Sequence, residues 1–271
     1  MSEFILRPAT ATDAPDMIDI WTRSFGDSPE FVSALLKEAD LLSGALCAEA
    51  AGKVKSVMFA FEGLSLGGVP AAYLYALCTH PDARGHGMGS AVVRALAERC
   101  FDRGAELVFL APADAGLAAW YERILNAKPM SGFEDIPQTL RSRGAVCQRI
   151  SASEYAAART NRGGVTAQLL SAQSVLHRFF GGGFFRLETE SGVALACAEP
   201  KDGSVLIREL LCTVDAVPEV CGALADYYGC GRAFLRSRLS FGSDLVYITK
   251  DIICKETVNI IENTPFFYTL E

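Results

Sequence analysis

The sequence predicts an α+β protein, a three-layer α/β arrangement built from two units, and three observations lead there. Its 271 residues are about twice the usual length of a domain. In the first half, three strand-like stretches precede a glycine-rich loop, a helix, a strand and another helix. A similar series recurs in the second half, and both strand meanders end in Leu-Cys-Thr. We expect a unit over residues 1–150 and a smaller diverged repeat over 151–271; an unrelated second domain is the alternative.

The first unit begins with a strand and two helices. "EFILRPAT" predicts a short strand. Thr12 and Asp13 can cap a helix through "APDMIDIWTRSF", and Ser28 and Pro29 suit the start of a second helix, "EFVSALLKEAD".

A central meander, a loop, a helix, a strand and a last helix complete this unit. "ALCAEAA", "VKSVMFAFEGLSL" and "AAYLYALCT" are strands joined by glycine turns. After the loop "HPDARGHGMGS", residues 90–100 place apolar side chains on one helical face. "AELVFLAP" is apolar throughout, as in a strand buried on both faces, and "AGLAAWYERIL" predicts a helix.

The second unit opens with a connector and a short helix in "QRISASEYAAARTNR". "FFRLETESGVALACAEPKDGSVLIRELLCT" predicts three strands, followed by a helix in "VPEVCGALADYYG" and a strand in "RAFLRSR". Thr213, at the end of this meander, leads into "VDAVPEV", which has neither glycine nor arginine. The second unit therefore lacks the loop of the first.

Composition excludes several classes of function. A net charge of −7 argues against a nucleic-acid partner, because phosphate binding needs a basic surface. Nine cysteines without a C-x-x-C pair, and only three histidines, predict no metal site and a reducing compartment. We see no signal peptide and no membrane-spanning stretch, so we expect a cytoplasmic protein without a membrane partner.

The glycine loop suits an anion. A dinucleotide fingerprint fails because Ser90 stands where its third glycine belongs, and a P-loop fails because no lysine follows the last glycine. The remaining pattern is Arg84, Gly87 and Gly89. Glycines before a helix let successive amides and the helix dipole approach an anion such as pyrophosphate, to which an arginine adds donors. A turn without a ligand is the alternative.

Two stretches resemble a known family. "LYALCTHPDARGHGMGSAVVRAL" resembles motif A of the GNAT superfamily of acyl-CoA N-acyltransferases, and "FLAPADAGLAAWYERILNAKP" resembles its motif B. The resemblance covers about residues 3–130 and implies a GNAT-like mixed sheet with splayed central strands. The tandem arrangement is similar to bacterial members with a second, degenerate GNAT-like half that has no phosphate loop.

The resemblance also implies roles for individual residues. The end of the fourth strand would pair with the pantetheine arm and thioester of acetyl-CoA, and loop amides would hold its pyrophosphate. Tyr121 would protonate the leaving thiolate, whose basicity a phenol can match. The implied acetyl-CoA contacts are Leu77, Cys78, Thr79, Arg84, Gly85, His86, Gly87, Met88, Gly89 and Ser90.

The base that deprotonates the amine is open. Many members carry a glutamate on the fourth strand, where this chain has Tyr75. Glu62, a water chain and the carboxylate of Glu271 are candidates. Asp27 in "SFGDS" could bind a cationic group, or it could belong to a helix-capping turn.

Together these features predict an enzyme that transfers an acetyl group from acetyl-CoA directly to a primary amine, without a metal. The acceptor is expected to be a small molecule rather than a protein. A non-catalytic CoA-binding sensor is one alternative, and an interaction module without a ligand is another.

Overall fold

The structure is a computed structural model that describes residues 3–141, 145–159, 165–239 and 245–249. These ranges contain twelve strands and seven α-helices. The strands are β1 (Ile5–Pro8), β2 (Leu46–Ala50), β3 (Lys53–Leu66), β4 (Val69–Thr79), β5 (Leu107–Leu110), β6 (Lys128–Pro137), β7 (Val146–Ile150), β8 (Gly183–Thr189), β9 (Gly192–Lys201), β10 (Ser204–Leu211), β11 (Ala233–Leu239) and β12 (Leu245–Thr249). The helices are α1 (Ala14–Phe25), α2 (Pro29–Glu38), α3 (Met88–Asp102), α4 (Ala115–Leu125), α5 (Ala152–Ala158), α6 (Ala167–Phe180) and α7 (Val217–Tyr228).

The strands form one hydrogen-bonded series in the order β1-β2-β3-β4-β5-β12-β6-β11-β10-β9-β8-β7. Two pairs are parallel, β4 with β5 and β10 with β11, and each is joined through a helix. The other neighbours are antiparallel. A meander, a crossover helix and a parallel strand therefore occur twice, and the predicted α+β class is confirmed.

Hydrogen bonding crosses the predicted division at residue 150 in both directions. β7 precedes residue 150 but pairs with β8 in the second half. β12 follows it and lies between β5 and β6. The division stays a prediction, and the sheet itself is continuous across it.

Four elements differ from the sequence-based expectation. β7 lies where a connector was predicted. None of its side chains is fully buried, so its sequence shows no alternating apolar pattern. β6, β12 and α6 were not predicted. The start of α6 had a recognisable signal, since the Thr166 hydroxyl accepts a hydrogen bond from the Leu169 amide.

The helices cover both faces of the sheet, and the core is shared between the halves. One buried cluster joins Leu35 of α2 to Leu169 of α6, so the two halves pack directly against each other. A second lies beneath α3 and α4, and a third beneath α7. None of the helices in the described ranges is long and apolar enough to cross a membrane.

Candidate active site

The parallel strands β4 and β5 separate halfway along β4. β5 pairs only with Ala71 to Leu74 of β4. Among the described residues, 75–79 of β4 therefore have no strand partner on that side. Ala76 has a positive φ of 53°, and the register with β3 shifts at this point, which marks a β-bulge. The separation leaves a gap bordered by the backbone of β4.

The glycine loop lies between the end of β4 and the start of α3. Gly85 and Gly87 have φ values of 77° and 81°, which L side chains rarely adopt, and a Cβ on either would meet nothing within 4 Å. Gly87 is the N-cap of α3, and no side chain of the described residues caps this helix. The amides of its first turn are therefore available to an anion that approaches through open space.

The loop is fixed to the end of β4. Arg84 Nε donates to the Thr79 carbonyl at 3.2 Å. A Cβ on Gly89 would lie 3.1 Å from Thr79 Oγ1, so the close approach of α3 to β4 favours glycine there. Arg84 and His86 are exposed, while the Met88 side chain is buried. The implied pyrophosphate residues thus form one continuous loop, whose contribution is its backbone.

A cavity of about 630 Å³ lies alongside the second half of β4. α1, α2, the end of β5, α4 and α6 contribute to its wall. Most of its lining is aromatic or aliphatic, and Asp27 is its one charged side chain among the described residues. The second half of the chain supplies Leu176 and Phe180.

Tyr121 faces this cavity from α4, whose first turn is capped by Asp114 through the Leu117 amide at 2.8 Å. Its side chain is buried, with the Trp120 ring edge-on at 4.9 Å. No group in the described part of the chain hydrogen-bonds its hydroxyl. Burial raises the pKa of Tyr121, and the Cys78 thiol adds to the shift. The phenol therefore stays protonated at neutral pH.

Cys78 and Tyr75 are also held neutral. The Cys78 thiol donates to the Ala76 carbonyl at 3.3 Å, and burial raises its pKa, so it is not a thiolate nucleophile. Tyr75 lines the cavity and packs against the ring of Trp21 at 5.7 Å. Burial raises the pKa of Tyr75 as well, with Asp27 adding to the shift. Neither residue replaces a β4 glutamate as a base.

The structure does not bring Glu62 to this cavity. Its carboxylate accepts hydrogen bonds at 3.1 and 3.2 Å from Arg103, the C-cap residue of α3. The glycine loop lies at the other end of that helix, roughly 20 Å away for its length. Glu271, the other carboxylate candidate, lies outside the described residues.

Asp27 lines the cavity, and it does not cap a helix. Ser28 does so instead, accepting a hydrogen bond from the Phe31 amide at 3.2 Å. Asp27 Oδ2 accepts a hydrogen bond from Trp21 Nε1 at 2.7 Å, which fixes the carboxylate at the cavity wall. The sequence pointed to the residue but not to this partner, because the sequence shows Trp21 only as part of an apolar helical face.

Sequence reasoning missed the contribution of α6. Leu176 and Phe180 reach the cavity from this helix, and the Phe180 ring packs on Phe31 of α2 at 5.1 Å. The cap at Thr166 and the helical spacing of Leu169 and Leu176 were the available signals. In the ranges described, no three His, Cys, Asp or Glu side chains cluster as metal ligands do.

A parallel strand pair that opens onto an uncapped glycine loop is the arrangement that the resemblance to acyl-CoA N-acyltransferases implies. Residues 6–124 match the family model described as an acetyltransferase (GNAT) domain. The resemblance seen in the sequence is therefore confirmed for the domain over residues 6–124.

Solved structures show the same fold over most of the chain. A GCN5-related N-acetyltransferase from Kribbella flavida is 18% identical with a TM-score of 0.65, covering 87% of this chain and 64% of its own. Eis1 from Mycobacterium abscessus is 13% identical with a TM-score of 0.63, covering 92% and 74%. A putative acetyltransferase from Pyrococcus horikoshii is 15% identical with a TM-score of 0.59, covering 93% and 91%.

These likenesses show the fold alone. The chain spans 64% of the length of the Kribbella protein, less than two thirds. No curated protein sequence matches the chain significantly.

Proposed function

We propose that the protein is a cytoplasmic N-acetyltransferase that moves an acetyl group from acetyl-CoA to the primary amine of a small molecule. One arrangement carries the proposal. At one end of the gap beside β4, where α3 begins, the helix amides are uncapped. The Tyr121 side chain lines the adjoining cavity, and its hydroxyl has no hydrogen-bond partner in the described chain.

The residues present fit acetyl-CoA. Amides from Arg84 to Ser90 would hold the pyrophosphate, with open space above Gly85 and Gly87. The β4 backbone at Leu77, Cys78 and Thr79, which β5 does not reach, would hold the pantetheine arm. When bound, acetyl-CoA supplies an activated acyl thioester.

The chain's own residues position the reactants and move one proton. The cavity brings an amine to the β4 gap, so that transfer occurs in a ternary complex. Tyr121 holds a proton at its hydroxyl and delivers it to the sulfur that leaves as the nitrogen–carbon bond forms. The acceptor attacks as the neutral amine, and its nitrogen loses one proton to solvent as the amide forms. Tyr121 then regains a proton from solvent. Cys78 stays a neutral thiol, so the group passes directly to the amine.

Replacement of Tyr121 by Phe tests this role. Tyr121→Phe lowers kcat about 100-fold, because the sulfur must then take its proton from water. The KM for acetyl-CoA stays unchanged. The measurement is steady-state release of free thiol from acetyl-CoA with a panel of primary amines.

Tyr228→Phe is the matched control. Tyr228 lies in the second half, and its hydroxyl donates to the Ala198 carbonyl at 3.1 Å, away from the cavity. We expect its kcat to equal that of the unaltered protein. Equal kcat values for the two variants would remove Tyr121 from the mechanism.

A non-catalytic acyl-CoA sensor is the second candidate, and the neutral Tyr75 at the position of the β4 glutamate favours it. The same assay separates the two functions. A sensor binds acetyl-CoA but releases no thiol with any amine, and Tyr121→Phe then changes nothing.

A further inference from the structure

The helices that line the cavity contribute several aromatic rings to its wall. Phe25 of α1, Phe31 of α2 and Phe180 of α6 contribute rings there. Phe25 is 50% exposed and Phe180 is 55% exposed, so each ring keeps about half of its surface uncovered. Exposed aromatic rings at the wall of a cavity offer a surface to an apolar ligand.

One negative charge lies among these rings. Asp27 Oδ2 accepts the indole hydrogen bond of Trp21, while Oδ1 has no hydrogen-bond partner in the described part of the chain. No described arginine or lysine lines the cavity to neutralise this carboxylate. A carboxylate in apolar surroundings favours a cation beside it, and the neighbouring rings favour one too.

The number of charges limits the ligand. A single ammonium group is matched by Asp27, whereas each further cation would meet an apolar wall without a partner of opposite charge, which is unfavourable. A polyamine or an aminosugar with several ammonium groups is therefore disfavoured. An apolar ring attached to the amine instead buries against Phe31 and Phe180.

We propose that the acceptor is a primary monoamine with an aromatic body, whose ammonium group is held by Asp27 and whose ring packs against Phe31 of α2 and Phe180 of α6. This proposal rests on the proposed function, since it names the substrate class of that site. It also gives α6 of the second half a specific task, which is to complete the acceptor pocket.

Trp21 provides a direct readout of binding. The chain has two tryptophans, so a Trp120→Phe background leaves Trp21 as the reporter beside Asp27. The experiment titrates 2-phenylethylamine, neutral 2-phenylethanol and spermidine, and follows Trp21 fluorescence. We expect 2-phenylethylamine to bind at least about tenfold more tightly than either of the others, because only it has both the ring and a single charge.

Two variants assign the contributions. Asp27→Asn keeps an acceptor for the Trp21 indole but removes the charge, and weakens 2-phenylethylamine binding about tenfold. Phe180→Leu weakens it about fivefold through loss of ring contact. Phe179→Leu is the control, since Phe179 also packs on Phe31 but does not line the cavity. Acetyl-CoA affinity stays unchanged in all three.

The outcomes separate this proposal from the proposed function. Spermidine binding and acetylation equal to or better than those of 2-phenylethylamine would overturn the aromatic monoamine while leaving the acetyltransferase intact. Binding of 2-phenylethylamine that depends on Asp27, without any thiol release, would support the pocket and contradict catalysis. Binding that Asp27→Asn does not weaken would overturn the assignment of the charge.

Discussion

The two crossovers from a meander to its helix share a plan but differ in what they can bind. Strands β4 and β10 both end near Leu-Cys-Thr, both carry a register shift, and both keep a parallel partner over only three or four residues. After β4, Gly85 and Gly87 turn the chain and leave uncapped amides. After β10, a short 3-10 turn runs directly into α7, whose first turn contains Pro218. Because proline has no N–H, the second crossover lacks one of the donors that an anion needs.

Strands β4 and β10 also differ two residues before the Leu-Cys-Thr sequence. Counted back from Leu-Cys-Thr, Tyr75 of β4 corresponds to Glu209 of β10. Tyr75 lines the cavity, whereas Glu209 is buried and accepts hydrogen bonds from Tyr155 at 2.6 Å and Arg159 at 2.7 Å. Equivalent positions therefore line a cavity in one half and contribute to internal packing in the other. The strand separation occurs in both halves, while the glycine loop occurs in the first half only.

Substitution of Gly87 by Glu is the strongest way to break this comparison. Gly87→Glu places a carboxylate in the open space over the α3 amides and adds charge repulsion to a strained backbone. We expect acetyl-CoA affinity to fall about 100-fold or more, because like charges placed together at an interface repel each other. Isothermal titration calorimetry with acetyl-CoA measures it.

Gly203→Glu controls for the backbone strain. Gly203 has a φ of 70°, and a Cβ on it would likewise meet nothing within 4 Å, but it lies in a hairpin of the second half. This variant keeps full affinity. Equal affinities for the two variants would show that the α3 loop does not hold the anion.

Glu209→Gln examines the other side of the comparison. The change keeps the shape of the side chain but removes the carboxylate that pairs with Arg159. Both side chains of this ion pair are buried. Removal of one partner from a buried ion pair costs about 3 kcal/mol of folding stability. Chemical denaturation measures the loss, and acetyl-CoA affinity below the transition stays unchanged.

Glu38→Gln is the matched control, because Glu38 pairs with Arg178 in the same way at 2.7 Å but both side chains are about half exposed. We expect Glu38→Gln to lower the free energy of unfolding by less than about 1 kcal/mol. A loss of acetyl-CoA affinity in Glu209→Gln alone would mean that the second half takes part in donor binding.

The glycine loop could be predicted from sequence because its signals are local. Arg84, Gly87 and Gly89 lie within six residues, between a strand and a helix that each show their own periodicity. Strand β12 could not be predicted in this way. Its partners β5 and β6 lie far from it in sequence, so nothing near Leu245–Thr249 indicates where it pairs.

The acceptor side of the site depends on tertiary contacts for a similar reason. Glu62 was a reasonable candidate on a strand, but a bulge follows Phe61, Gly63 has a φ of 74°, and the carboxylate meets Arg103 instead. Asp27 gains its position from Trp21, a contact that no sequence pattern encodes. Bulges and side-chain pairs of this kind reorient individual residues without altering the hydrophobic pattern.

Titration of His177 sharpens the comparison, because it gives the second half a sensitivity to acid. Gln173 Nε2 donates to His177 Nε2 at 2.9 Å, which requires that nitrogen to be unprotonated. Burial lowers the pKa of His177 to about 3, and Arg149 and Arg208 add to the shift. In the unfolded chain His177 binds a proton below about pH 6.5, whereas in the folded chain it stays neutral until about pH 3. The free energy of unfolding therefore falls as the pH drops below about 6.5.

Between pH 6 and 4.5 we expect the free energy of unfolding to fall by up to about 1.4 kcal/mol per pH unit. Urea unfolding at a series of pH values measures this dependence. Carboxylates such as Asp13, whose pKa the Arg7 guanidinium lowers, contribute mainly at more acid pH, so the histidine dominates the upper part of this window. His177→Gln removes this dependence of stability on pH. An unaltered slope in His177→Gln would assign the acid sensitivity to another group, and the second half would then lose its distinctive response.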